Sequence, residues 1–175
     1  YLDLGAYNGD SIRDFVSLAP DYERIIALEP DAKNFQKLSL WAEAAKLRNY
    51  AAYNMASWSH PCILPFQKRG GRCSALDRTG AAAVEADSID HLLNHSPVTW
   101  IKMDVEGAET ETLLGGAETL RRQAPKLCIA AYHRSGDFFR LPLLVKKLNP
   151  NYRLYLRHHP YIPAWETNLY CMVPK

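Results

Sequence analysis

The chain has 175 residues, 47% of them hydrophobic and 23% charged, the make-up of an ordinary soluble globular protein long enough for a sizeable core. Its formal charge of +2 points to no nucleic-acid partner, and no apolar run approaches the roughly 18 residues of a membrane span. The four cysteines (Cys62, Cys73, Cys128 and Cys171) form no C-x-x-C pair, so they read as reduced residues of a cytoplasmic protein, on a spacing that does not suit zinc.

Residues 1–175 are expected to form a single domain. The chain opens directly on its first strand, without a signal peptide, which reads as a trimmed start. That strand, in Y-L-D-L, runs into the loop G-A-Y-N-G (residues 5–9). A helix follows, with Ile12, Phe15, Val16 and Ala19 at helical spacing and Asp10 or Ser11 as its cap. Pro20 and Asp21 end it. Residues 25–28 form a second strand leading into Glu29, Pro30 and Asp31. Asp31 caps a helix whose apolar face is Phe35, Leu38, Trp41, Ala42 and Ala45. A third strand is expected over 47–53.

Residues 57–79 differ in texture. Pro61, Pro65, Gly70 and Gly71 punctuate two strand-like pieces, 63–66 and 72–76, which read as a hairpin inserted in the pattern. A short strand over 83–89 and a turn of helix over 90–93 come next, then a strong strand over 98–105, V-T-W-I-K-M-D-V. The spacing predicts a helix over 108–122, with Leu113, Leu114, Ala117 and Leu120 inward and Gly115-Gly116 as its weak point. The chain closes with a strand over 126–132, a helix over 141–148 with Pro142 in its first turn, and strands over 153–157 and 169–173. Strands alternating with amphipathic helices imply a doubly wound, Rossmann-like α/β sheet of parallel strands. The last two strands lie too close for a crossover helix, so one of them is reversed.

In such sheets ligands bind beyond the carboxyl ends of the strands. This chain places polar groups at nearly every such end: the loop from Gly5 to Gly9, Glu29, Asp104 with Glu106, His133, and His158 or His159. The last two are adjacent on a strand, so at most one faces the site. Glu29 follows Gly9 by 20 residues, where an acidic side chain can hold the hydroxyls of a ribose. The loop reads Gly5-x-x-x-Gly9 rather than G-x-G-x-x-G, which favours an adenosine ligand without a pyrophosphate. Plainer readings stand beside these. Asp3 can simply tie down the N–H groups of the loop, and Asp104, Glu106 and Glu109 can be the acidic first turn of a helix. His133 can be a hydrogen-bonded structural histidine, and Lys68, Arg69, Arg72 and Arg78 either a solvated charge run or a seat for an anionic substrate.

The stretch D-L-G-A-Y-N-G-D resembles the first motif of class I methyltransferases, which bind S-adenosylmethionine. Together with A-L-E-P-D-A-K-N-F-Q-K-L and I-K-M-D-V-E-G-A-E-T-E-T-L-L-G-G-A, it is similar to the FkbM family. Y-H-R-S-G-D-F-F, Y-R-L-Y-L-R-H-H and E-T-N-L-Y resemble late blocks of one branch of that family, so the likeness spans nearly the whole chain, residues 57–79 least. The resemblance implies seven strands, one reversed, and methyl transfer to an oxygen, commonly a hydroxyl on a sugar, glycan or related small metabolite. It implies that Asp3, Gly5, Ala6, Tyr7, Asn8 and Gly9 line the methionine end of the cofactor. Glu29 would hold the ribose, Pro30 and Asp31 would border the adenine, and Asp104 and Glu106 would stand beside the methyl donor.

An alcohol is a poor nucleophile, so a base must take its proton. Asp104 and His133 are the first candidates, with His158 or His159 behind them. A divalent cation held by Asp104, Glu106 and a histidine is the alternative, although nothing in the spacing establishes a metal. Two other functions share this logic: a nicotinamide-dependent oxidoreductase, which the loop spacing disfavours, and a non-catalytic domain that keeps the nucleotide pocket.

Overall fold

The computed structural model describes residues 1–67, 75–76, 82–160 and 166–174. From the amino terminus, β1 (Leu2–Leu4) leads to α1 (Asp10–Leu18), β2 (Ile25–Leu28), α2 (Ala32–Ala44) and β3 (Tyr50–Tyr53). Four strands follow, β4 (Ala56–Ser57), β5 (Cys62–Gln67), β6 (Ala75–Leu76) and β7 (Ala82–Asp87). Then come α3 (Ile89–Leu93), β8 (Trp100–Met103), α4 (Glu109–Gly115), α5 (Ala117–Arg122) and β9 (Lys126–Ala130). The chain ends with α6 (Asp137–Leu148), β10 (Arg153–His158) and β11 (Thr167–Met172).

The main sheet has seven strands in the order β3-β2-β1-β8-β9-β11-β10. All neighbours run parallel except around β11, which is antiparallel to both β9 and β10. The reversed strand expected near the carboxyl terminus is therefore β11. Alternation along the strands divides the core into two layers. Leu2, Leu4, Ile26, Leu28, Ile101 and Met103 pack towards Leu113, Leu120, Leu141 and Val145 of α4–α6, while Ile25 and Ala27 face Ile12 of α1 and Leu38 of α2. Full burial of each such aliphatic side chain contributes roughly 1.5–3 kcal/mol. Asp31 caps α2 as expected, accepting from the N–H groups of Lys33 and Asn34.

The chain winds outward from β1 to β3 on one side, and from β8 towards β10 on the other. The switch point, where such sheets open a crevice, thus lies between the carboxyl ends of β1 and β8.

Several boundaries differ from expectation. The inserted hairpin is part of a second, four-stranded sheet, β4-β7-β5-β6, in which β7 pairs with both β4 and β5. Its own small core of Ala56, Phe66, Val84 and Ala86 draws β7 away from a free-standing role. Residues 68–74 and 77–81 lie outside the described residues, with Lys68, Arg69, Arg72, Arg78 and Cys73; so do residues 161–165. The helix expected over 108–122 is broken into α4 and α5 at Gly115-Gly116. A Cβ on Gly115 would lie 2.2 Å from the carbonyl oxygen of Trp58, so the break lets helix backbone touch the β4–β5 connection. The helix expected over 141–148 starts earlier, at Asp137, and carries Pro142 in its interior. Among the described residues, Cys62, Cys128 and Cys171 are free thiols, and no helix is long and apolar enough to cross a membrane.

Gly115→Ala drives a methyl group into the Trp58 carbonyl, so it is expected to destabilise the protein by about 1–3 kcal/mol. Denaturant unfolding of the wild type and the variant checks this; equal midpoints would show that the contact is not close.

Candidate functional site at the switch between β1 and β8

The loop after β1 is held by backbone bonds. The N–H groups of Gly5 and Ala6 both donate to the Leu28 carbonyl, at 3.0 and 2.9 Å. Gly5 has φ +80°, and a Cβ there would fall 1.9 Å from the Asp104 carbonyl oxygen. Only glycine lets the loop lie against the end of β8 this closely. Glu29, the first residue beyond β2, grips the same loop. Its Oε2 accepts from the Tyr7 N–H at 2.8 Å and its Oε1 from the Asp31 N–H at 2.9 Å. Burial raises the Glu29 pKa to about 7, against the downward pull of those two N–H groups.

Beneath the loop lies a buried ion pair. Asp3 of β1 and Lys102 of β8 are register partners, with Lys102 Nζ 3.2 Å from Asp3 Oδ1. Lys102 Nζ also donates to the Gly5 carbonyl at 2.7 Å, and the Tyr1 hydroxyl donates to Asp3 Oδ2 at 2.9 Å. Burial opposes the charge of Lys102, but Asp3 and Asp104 outweigh it and hold the ammonium above the ordinary lysine range. Asp3 is fully buried, so it bears on a ligand through Lys102 and the loop rather than by direct side-chain contact.

Beyond the end of β8, three carboxylates surround one histidine. His133, just past β9, donates from Nδ1 to Glu109 Oε1 at 2.7 Å. Its Nε2 faces Asp104 Oδ1 at 3.3 Å and Glu106 Oε2 at 3.5 Å. The side chains of Asp104 and Glu106 keep 35% and 33% of their surface, whereas Glu109 keeps 1%. Glu109 Oε1 is further fixed by the N–H groups of Val105 and Gly107. Burial works against a charged imidazole, but the Glu109 hydrogen bond and the three carboxylates outweigh it and raise the His133 pKa to about 9. At neutral pH the ring is therefore an imidazolium. Glu106 is pushed up to about 7, chiefly by burial and against the pull of His133. Tyr7 and Glu106, one on each flank of the crevice, both hold positive φ (50° and 53°), a strained conformation for residues with side chains.

The structure thus brings Asp3, Gly5, Ala6, Tyr7, Glu29, Asp104, Glu106 and His133 to one edge. Ala6 is fully buried, and Asn8 accepts from the Arg13 guanidinium. Gly9, at φ +85°, precedes the first turn of α1, and Pro30 follows Glu29 with its carbonyl accepting from Asn54. The Asp31 carboxylate is engaged in capping α2. His158 and His159 pair instead with Thr167 and Tyr170 at the end of the β10–β11 hairpin. The sequence does not single out Lys102, and it marks Glu109 only as part of the acidic first turn of a helix. Lys102 carried a signal, a lysine inside an apolar strand one residue before Met103; Glu109 carried none beyond the acidic run.

A seven-stranded sheet with one reversed strand, a glycine loop after β1 and a carboxylate after β2 define the fold of a class I methyltransferase. The Methyltransferase FkbM domain matches residues 3–163, and the chain belongs to that family. The structure of methyltransferase FkbM from Methylobacillus flagellatus KT superposes with a TM-score of 0.83 at 27% identity, covering 97% of this chain. This chain spans 42% of the length of that protein. Fibrillarin from Aeropyrum pernix, with natively bound S-adenosyl-L-methionine, shares the fold at a TM-score of 0.62 and 12% identity, over 98% of this chain and 65% of its own. A Streptococcus thermophilus rRNA methylase does so at 0.59 and 14%, over 99% and 86%. Among curated proteins, none matches the chain significantly.

Because the His133 pKa is raised from 6.5 to about 9, the stability it contributes is fully present below pH 6.5 and is lost as pH rises through 9. An NMR titration of the ring should give a midpoint near 9, falling towards the ordinary value in Glu109→Gln. A midpoint near 6.5 in the wild-type protein would contradict this electrostatic picture.

Proposed function

We propose that the chain is an S-adenosylmethionine-dependent O-methyltransferase acting on a hydroxyl of a sugar, glycan or related small metabolite. The observation that carries this reading is the Asp104–Glu106–His133 cluster pressed against the Gly5 loop, which joins a nucleotide cradle to proton-accepting groups. The cradle suits the cofactor: the close approach of Gly5 to Asp104 leaves no room for a Cβ, and Glu29 has lone pairs beyond those its two backbone donors use. When bound, the cofactor supplies an electrophilic methyl group on a sulfonium.

The protein's own part is to orient the acceptor and manage one proton. Glu29 takes the ribose hydroxyls, and the loop of Gly5, Tyr7 and Asn8 borders the methionine end. Asp3 and Lys102 act as positioning residues, setting the loop against β8. Around the junction four carboxylates (Asp3, Asp104, Glu106 and Glu109) face two cations, Lys102 and His133, an excess of negative charge suited to a sulfonium. Glu106, half-exposed and with a pKa of about 7, is matched to accept the acceptor's proton near neutral pH, with Asp104 beside it. His133, already protonated, holds the two carboxylates in place rather than serving as the base.

Calorimetric titration with S-adenosylhomocysteine tests the cofactor assignment. Micromolar binding is expected, weakened roughly 10- to 100-fold by Glu29→Gln, the loss of a charge-assisted hydrogen bond. Because ribose recognition needs the ionised carboxylate, affinity should fall as pH drops below about 7, where Glu29 takes up a proton. Absence of binding, or wild-type affinity in the variant, would overturn the assignment. With an acceptor in hand, Glu106→Gln should lower kcat roughly 100-fold or more while leaving the affinity for S-adenosylhomocysteine, which carries no sulfonium charge, unchanged.

A further inference from the structure

We infer that Asn8 recognises the carboxylate at the amino-acid end of the cofactor, and that Arg13 and Trp41 are the positioning residues that hold it in that pose, an assignment that rests on the methyl-transfer reading. Glu29 holds the first half of the glycine loop, at the Tyr7 N–H. The second half is held from the helices. One terminal nitrogen of Arg13, in α1, donates to the Asn8 carbonyl at 2.9 Å, and the other donates to Asn8 Oδ1 at 3.4 Å. The same guanidinium lies over the indole of Trp41, in α2, at 4.4 Å from the ring centroid. Trp41 also closes on the loop itself, since a Cβ on Gly9 would fall 2.7 Å from its Cε3. One side chain of α2 thus packs against both the loop and the arginine that grips it.

The consequence for Asn8 is chemical. A guanidinium has donors and no acceptor, so the amide must turn its oxygen towards Arg13. Both acceptors of Asn8, the carbonyl and Oδ1, are thereby engaged. Its donors are not: among the described residues neither its backbone N–H nor its Nδ2 meets an acceptor. A half-buried residue beside the crevice, with its acceptors satisfied and its donors open, is set up for an anion. A carboxylate offers only acceptors and can take both donors at once. In S-adenosylmethionine that group lies at the far end of the amino acid, away from the ribose assigned to Glu29.

The test is calorimetric titration with S-adenosylhomocysteine and with methylthioadenosine, which shares the nucleoside and the thioether but lacks the amino acid. Arg13 is exposed, so its substitution should leave the unfolding midpoint unchanged. Arg13→Ala and Asn8→Ala should each weaken S-adenosylhomocysteine roughly 10-fold, the loss of a hydrogen bond to a charged group, and leave methylthioadenosine affinity as it is. Arg13→Lys keeps the charge but neither the fork nor the flat stacking face, so it should recover only part of the loss. The double variant should lose less than the two single losses combined, because Arg13 acts through Asn8. Equal weakening of both ligands in Arg13→Ala would overturn the assignment, since the latch would then support the pocket as a whole. Wild-type affinity for S-adenosylhomocysteine in both Arg13→Ala and Asn8→Ala would also overturn it, while leaving the cofactor reading intact. A wild-type protein that binds neither ligand would defeat the cofactor reading itself, and this assignment with it.

Discussion

The Asp3–Lys102 pair is the contact on which the rest of the site depends. Two charges buried in a sheet are tolerated only when paired and hydrogen-bonded, and removing either partner strands the other, at a cost of about 3–5 kcal/mol. Here the pair does more than satisfy itself. Lys102 spans from Asp3 of β1 to the Gly5 carbonyl, so one ammonium joins β8, β1 and the start of the glycine loop. Both strands deliver residues of the candidate site two positions past that lock, Gly5 from one and Asp104 from the other. A slip of one residue in their pairing would turn Asp3 and Lys102 to opposite faces and separate the loop from the cluster.

From this lock the site grows in two directions. Towards β2, the Glu29 carboxylate draws the Tyr7 and Asp31 N–H groups together and fixes that wall of the crevice. Towards β9, Glu109 holds His133 so that its far nitrogen meets Asp104 and Glu106 in the crevice. Glu109 and Glu106 come from the same short turn yet do opposite things. One is buried against backbone donors, and the other remains at the surface on a strained residue. That division leaves one carboxylate as a fixed support and the other open to the crevice.

Most of the architecture is legible in the residues themselves. Two-residue alternation marks the strands, the 3.6-residue period marks α1 and α2, and the short link between the last two strands requires a reversal. Gly5, Glu29, Asp104 and His133 stand out because strand ends in such a sheet share one edge. What is not legible depends on tertiary contact. Lys102 becomes meaningful only through its register with Asp3. Glu106 and Glu109 look alike in D-V-E-G-A-E, since the helix dipole favours both, and only the packed turn decides which one faces inward. The break at Gly115 follows from Trp58, which is remote in sequence. The place of β7 in the second sheet follows from a small core that no local pattern announces.

The central claim is that the carboxylate–histidine cluster and the glycine loop are two halves of one reaction centre. A crystal structure of the protein with S-adenosylhomocysteine tests it most directly. The account predicts the ribose on Glu29 and the sulfur turned towards Asp104, Glu106 and His133, within reach of a hydroxyl placed among them. A sulfur facing away from that cluster, or a ribose lying clear of Glu29, would contradict it.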